Sequence, residues 1–408
     1  MLFFKPSRWL TMITKKSTAC FSFIVICLLS QVVVAQTPDG NTQSDGKTAN
    51  TIQTAVPFLL VAPDARSGAM GDVGVAISPD ANSIHWNPAK MAFVENPVGV
   101  SLSYTPWLSK LVPDIDLAYL SGYKKIDSRN TIGGSLRYFS LGTIIFTQDG
   151  DNGMPYSPNE FAIDGFFARQ FGENFSLGTS LRYIRSILGN NSISANGGIQ
   201  AQPASAVAAD ISAYFKKGTV LFGKDAETAF GLNISNIGTK VSYSTGGQKS
   251  FLPTNLKLGA ATTFNLDDYN KFTVALDLNK LLVPTNPITD VNGKIISGKD
   301  PNRSVPSGIF GSFSDAPGGF SEEMKEVSYS LGTEYWYSNQ FAVRAGYFYE
   351  NPLKGDRQYF TTGLGLKYNV FNLDFAYLLA NQQKSPLAHT LRFTLIFNFE
   401  KKDPATTN

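Results

Sequence analysis

Histidine and cysteine are scarce, with two of each in 408 residues. His85 stands before Trp86 and His389 lies near the C-terminus, so there is no HxH pair, no HExxH helix and no His/Cys cluster with metal-ligand spacing. A Ser-His-Asp triad would have to recruit one of these histidines, and neither has a serine or aspartate context that suggests it. His85 reads instead as a histidine satisfied by backbone where a helix begins. The DxDxDG spacing of a calcium loop is absent, and Asp149 to Asn152, DGDN, reads as a loop turn. Gly231 to Gly238 and Gly363-Leu-Gly365 open no helix after a strand, which removes a phosphate cradle. No catalytic constellation, cofactor or metal is expected.

Long apolar runs are also missing. Beyond Leu29 nothing approaches the roughly 18 apolar residues of a membrane helix. The run that exists, Ala19 to Leu29, follows Lys15-Lys16 and precedes Val33-Val34-Ala35, the pattern of a secretory signal peptide over residues 1–35. Cys20 and Cys27 both fall within it, so the exported chain is expected to have neither disulfide nor thiol chemistry. The formal charge of +3 loses Lys5, Arg8, Lys15 and Lys16 with the signal and becomes −1, which implies no nucleic-acid partner. Residues 36–54 are polar and read as a disordered lead-in.

What the sequence does have is alternation. Leu391, Phe393, Leu395, Phe397 and Phe399 share one face of the last segment, and Arg392, Thr394 and Asn398 share the other. About fourteen such segments run through 98–399: 98–105, 114–125, 129–140, 159–171, 174–187, 205–217, 226–237, 254–266, 270–283, 325–337, 340–350, 357–369, 371–380 and 387–399. Most have the length of a tilted strand crossing a bilayer. Tight turns alternate with longer connections, as in outer-membrane barrels with short periplasmic turns and long outer loops. The expected fold is an all-β, 14-stranded antiparallel transmembrane barrel with both termini periplasmic and loops 141–158, 188–204, 238–253 and 284–324 outside. A soluble β-sandwich alternates in the same way, but does not explain the signal peptide, the strand lengths or the Phe-rich final strand.

The polar faces carry Arg137, Arg182, Arg344, Lys367 and Arg392 with Asp277, Glu334 and Asp374, which belong in a lumen because charge facing lipid is costly. Tyr104, Trp107, Tyr183, Tyr335, Trp336 and Tyr337 lie near strand ends, where an aromatic belt forms. Residues 55–97 do not read as strand. Rich in Ala, Gly and Ser, they carry Asp64, Arg66, Asp72 and Asp80 among apolar residues, and Asn87 can cap a turn that starts at Pro88. They are expected to plug the barrel of residues 98–399, with lumen charges pairing Asp64, Arg66 and Asp72; 400–408 is a tail. Loop 284–324 holds five Pro and six Gly, yet also Ile309, Phe310, Phe313 and Phe320. It is either a flexible loop or a partner-docking loop.

A plug followed by such strands resembles the FadL-like outer-membrane proteins, whose NPA pattern matches Asn87-Pro88-Ala89. VPFLLVAPDARSGAMGDVGVA and HWNPAK are similar, more closely, to the PorV (LptO) family, outer-membrane components of the type IX secretion system of Bacteroidota. That resemblance implies a non-enzymatic carrier in contact with outer-membrane lipid. It would accept cargo bearing a type IX C-terminal signal domain from a SprA/Sov-like translocon barrel and pass it to a PorU-like sortase and attachment complex. It also implies plug residues Asp64, Arg66, Gly68, Met70, Gly71, Asp72, Asn87 and Pro88, in structural more than contact roles. Three other classes stay in view: a FadL-type transporter of hydrophobic small molecules, an open diffusion porin and an outer-membrane enzyme.

Overall fold

The computed structural model describes residues 49–107, 114–146, 154–189, 194–195, 199–200, 202–244, 246–290, 292–380 and 389–400. The signal-peptide region, the DGDN turn and the C-terminal residues 401–408 lie outside them. Fourteen strands form the wall: Val98–Pro106 (β1), Ile115–Lys125 (β2), Asn130–Leu141 (β3), Asn159–Phe171 (β4), Phe175–Ile187 (β5), Ala204–Leu221 (β6), Lys224–Gly238 (β7), Asn255–Asn265 (β8), Asn270–Leu281 (β9), Val327–Tyr337 (β10), Phe341–Tyr349 (β11), Gln358–Tyr368 (β12), Phe371–Ala380 (β13) and Leu391–Phe399 (β14). Each pairs antiparallel with its chain neighbours, and β14 closes onto β1 from Val98↔Phe399 to Tyr104↔Phe393. The sheet is a closed barrel with no free edge.

Connections at one rim are short, at 126–129, 172–174, 222–223, 266–269, 338–340 and 369–370. Their residues explain them. Asp127 accepts the backbone N–H of Arg129 and Asn130, Asp267 does the same for Tyr269 and Asn270, and Gly172, Gly223, Ser338, Asn339 and Asn369 take left-handed conformations. The longer connections, including 142–158, 188–203, 239–254 and 282–326, gather at the other rim. β6 and β7 run further than their alternation suggests, because Phe222-Gly223, both at positive φ, makes a two-residue turn in what read as a longer loop. β14 starts at Leu391, not at 387.

Outward faces are apolar, with Leu102, Leu181, Phe360 and Leu364 all about half exposed or more. A continuous apolar belt of this kind requires a non-aqueous surrounding. Tyr104, Tyr183, Tyr335 and Tyr337 join it. Two expected belt residues do not. Trp336 has the parity of Glu334 and so faces the lumen, 5.5 Å from the Arg344 guanidinium, while Trp107 lies just beyond β1 and packs inward against the apolar cluster around Phe58.

The lumen holds residues 55–97 as a chain of short turns: a 3-10 turn Pro57–Leu60, helices Ala65–Gly68 (α1) and Ser83–Trp86 (α2), and a second 3-10 turn Pro88–Phe93. Nearly all of Ala62 to Ala92 is buried. Residues 49–54 differ from the disordered lead-in expected of them. Asn50 donates its backbone N–H to the Leu353 carbonyl and its amide to Asn286 and Glu322 at the long-loop rim, and the Ala55 N–H reaches the Phe251 carbonyl.

Candidate functional site

The first candidate region is the contact between plug and wall. Asp64 starts α1 by accepting the Ser67 N–H at 2.8 Å, and its other oxygen accepts the Trp86 indole N–H at 2.7 Å. Both oxygens are thus satisfied within the plug, and among the described residues no wall cation lies within ion-pair distance of Asp64, where one was expected. Arg66 fills all five donor positions of its guanidinium: two on Glu334 at 2.9 and 2.8 Å, one on Asp80 at 3.0 Å, and two on Ser78 at 3.0 and 2.8 Å. Glu334 also accepts from Arg344 at 2.7 Å, and Arg344 from there reaches Asp374 at 2.6 Å. The result is an alternating buried chain, Asp80–Arg66–Glu334–Arg344–Asp374, that crosses from plug to wall.

Glycines permit this contact. A methyl group on Gly68 would lie 2.2 Å from the Arg392 guanidinium, which passes there to pair with Asp72 at 2.7 Å; the Tyr359 hydroxyl donates to the same carboxylate. Gly71, at φ +71, packs its backbone on that of Gly346 and Tyr347. Met70 joins a core of Val73, Ala76 and Ile77 with Ala261 and Ala275 of the wall. Asn87 caps the turn that Pro88 begins, accepting the Ala89 N–H at 3.1 Å, and donates across to Ala213 of β6 at 3.0 Å. In the reverse direction, Asp277 of β9 accepts the backbone N–H of Gly74 and Val75.

His85 corrects an expectation. Its Nδ1 lies 2.6 Å from Arg137 of β3, not on backbone. Because the guanidinium can only donate, Nδ1 accepts and the ring is the neutral tautomer protonated at Nε2. Arg137 also donates to the Phe58 and Leu59 carbonyls.

The second region is the connection 282–326. It is not featureless: it contains a hairpin of Ile288–Thr289 with Ile295–Ser297 and two helices, Val305–Gly311 (α3) and Phe320–Lys325 (α4). Ion pairs brace it. Lys280 reaches Glu323 and Glu326 at 2.9 and 2.6 Å, and Lys354 from the connection 350–357 reaches Glu322 and Glu326 at 2.6 and 3.0 Å. Gly308 lies against Phe251, where a methyl group would come within 2.6 Å of the ring. Of the four apolar residues singled out in the sequence, Phe310 and Phe320 are 79% and 78% exposed and Phe313 is half exposed. Ile309 sits beside Gly308 on the inward side of α3 and is partly buried, so it supports the loop more than it presents a surface.

This bracing is pH-dependent. Burial alone pushes Glu322 and Glu323 up. Hydrogen bonds from Lys354 and the Gly318 N–H to Glu322, and from the Ala316 N–H and Lys280 to Glu323, outweigh it and hold both carboxyls below the usual glutamate range. Burial holds nearby Asp315 above its usual range, the opposite sense. The two depressed groups stabilise the loop fully above the ordinary glutamate pKa, and that contribution is lost as pH falls through their folded values. Amide exchange at Asp315 and Ala316, corrected for intrinsic rate, should therefore accelerate below about pH 4. Equal protection at pH 3.5 and 7 would refute this.

A cavity of about 570 Å³ opens at the long-loop rim between plug and wall. Residues 51–54, Leu60, Val61 and Trp86 line its plug side, and β8, β9, β10, β12 and β14 with the connection 350–357 line the other. Lys257 and Lys354 were not singled out in the sequence. Lys257 was legible in principle, since Asn255, Lys257, Gly259 and Ala261 share the lumen parity of β8. Lys354 lies in an irregular connection and had no such signal.

A sequence profile described as "Type IX secretion system protein PorV" matches residues 43–288. No curated protein sequence matches the chain. Among solved structures, the toluene transporter TodX of Pseudomonas putida is similar at 11% identity and TM-score 0.47, covering 86% of this chain and 98% of its own. The toluene transporter TbuX of Ralstonia pickettii is similar at 10% identity and TM-score 0.43, covering 84% and 100%. A FadL homologue of Pseudomonas aeruginosa is similar at 10% identity and TM-score 0.42, covering 86% and 100%.

Proposed function

The chain belongs to the PorV family of type IX secretion system proteins, and from that premise we propose that it is a non-enzymatic carrier that docks protein partners through the connection 282–326. It is an outer-membrane barrel that acts with type IX secretion components. We infer further that the short turns and both termini are periplasmic and that the long-loop rim faces outward, in keeping with barrel topology. The partners would be a SprA/Sov-like translocon barrel, cargo with a type IX C-terminal signal domain, and a PorU-like sortase and attachment complex.

One observation carries the docking reading. Phe310 and Phe320 stand exposed on a loop whose backbone is already fixed by buried ion pairs. Large aromatics on a pre-ordered frame bind at low entropic cost and dominate interface energies. The double substitution Phe310→Ser with Phe320→Ser is expected to reduce recovery of translocon, sortase or cargo from gently solubilised outer membrane by about tenfold or more. Unchanged co-purification with a folded barrel would count against the proposal.

The rival reading, a transporter of hydrophobic small molecules, expects an apolar pocket between plug and wall. The cavity there is lined by Asp72, Lys257, Lys354, Arg357 and Arg392 as well as apolar groups, which favours the carrier. The buried plug likewise disfavours an open porin.

A further inference from the structure

We propose that the cavity at the long-loop rim binds the free C-terminal carboxylate of an extended peptide, with Lys257 as its counter-ion. The cavity lies beneath the connection 282–326 and is distinct from the exposed Phe310 and Phe320, so this proposal and the docking proposal fail separately.

The charge inventory of the cavity is uneven. Arg357 pairs with Glu350 at 2.8 Å, Lys354 with Glu322 and Glu326, and Arg392 with Asp72. Lys257 is only 8% exposed and lines the same space, yet no described carboxylate lies within ion-pair distance of it; its ammonium rests 4.4 Å from the centre of the Trp86 ring. Asp277 and Asp72 act on that ammonium only from beyond ion-pair distance, so its buried charge is offset in part, and a ligand carboxylate within hydrogen-bond reach would complete the pairing. Because Asp72, Glu326 and Glu350 are close by, the space suits a single negative charge better than a phosphate's two.

The neighbours of Lys257 point to a peptide. Register places Lys257 opposite Asn279 and Asn279 opposite Ser328, so three polar side chains form a row across β8, β9 and β10. Asn255 Oδ1, on the same face, is buried and has no partner among the described residues. Across the cavity the backbone groups of Ile52, Gln53 and Thr54 are likewise without hydrogen-bond partners among the described residues. A hydrocarbon chain would offer no partner to Lys257 or to Asn255 Oδ1, whereas an extended peptide can pair with both and with the open backbone of 52–54. The volume lies within the range of ordinary ligand pockets.

The test presents the detergent-solubilised full-length barrel with a random pool of N-acetylated tetrapeptides carrying a free C-terminal carboxylate, with the same pool amidated, and with decanoate. The free acids should be retained about tenfold or more above the amides, as expected for one charge-assisted contact. Lys257→Met should abolish that preference and Lys257→Arg should keep it. Equal retention of acids and amides, no retention of either, or decanoate that displaces the acids completely would overturn the proposal, as would a Lys257→Met barrel that keeps the preference. Should Lys257→Met fail to fold, the comparison of acid with amide on the unaltered protein still decides.

Discussion

Replacing Arg66 by alanine is expected to destabilise the folded barrel by about 3–5 kcal/mol and to make it leak ions. The loss is large because five hydrogen bonds end on one side chain and because the groups left behind cannot be solvated. Asp80 would keep its local contacts to the 82–83 backbone and side chain but lose its only ion-pair partner among the described residues, and Glu334 would keep Arg344 alone. Arg66→Lys should recover only part of the stability, since an ammonium is a point charge and cannot span Glu334, Asp80 and Ser78 at once. Thermal unfolding in detergent measures the first effect and conductance across a planar bilayer the second. A variant that kept its seal and stability, yet lost one partner selectively, would place Arg66 in recognition instead.

Gly71→Val should have a comparable effect by a different route. At φ +71 a β-branched residue is strained, at about 1–3 kcal/mol. Its Cβ would also lie 2.6 to 2.8 Å from backbone atoms of Tyr347, which cannot swing away as a side chain could. Overpacking of that kind adds about 1–3 kcal/mol. Gly172 supplies the control: its φ is +72 and nothing lies within 4 Å of the added carbon. Gly172→Val should therefore show the strain without the contact. If the two variants melt at the same temperature, the close approach of plug to wall contributes nothing, and the tight fit described above is wrong.

The barrel was legible because period-2 alternation is a local signal and because strand lengths and turn residues repeat it fourteen times. Positions facing the lumen could be read from parity alone, as with Arg344 and Glu334. What parity could not give was pairing at a distance. Asp64 looked like a group in need of a wall cation, and finds Trp86 instead, twenty-two residues away and in the same plug. Trp336 looked like an interfacial aromatic by composition, although its own neighbour Glu334 had already assigned it to the lumen. The connection 282–326 was ambiguous because its order depends on Lys280 and Lys354, which lie outside it and whose roles no local pattern records.

The closure of β14 on β1 has a consequence for how the molecule comes into being. The plug is made before any strand, yet Arg66 and Asp72 find Glu334 and Arg392 only near the end of the chain, across separations of 268 and 320 residues. Contacts so remote are slow to form, since each waits on the closure of a very long loop. Until β10 to β14 arrive, Arg66 has only its plug partners Asp80 and Ser78, and Asp72 lacks Arg392 and Tyr359. A ring that closed first would leave no wide entrance, so the plug must already lie within the curling sheet when its two ends meet. Assembly is thus a matter of timing as much as of affinity, and a chain cut short after β9 should retain the plug sequence without a seated plug.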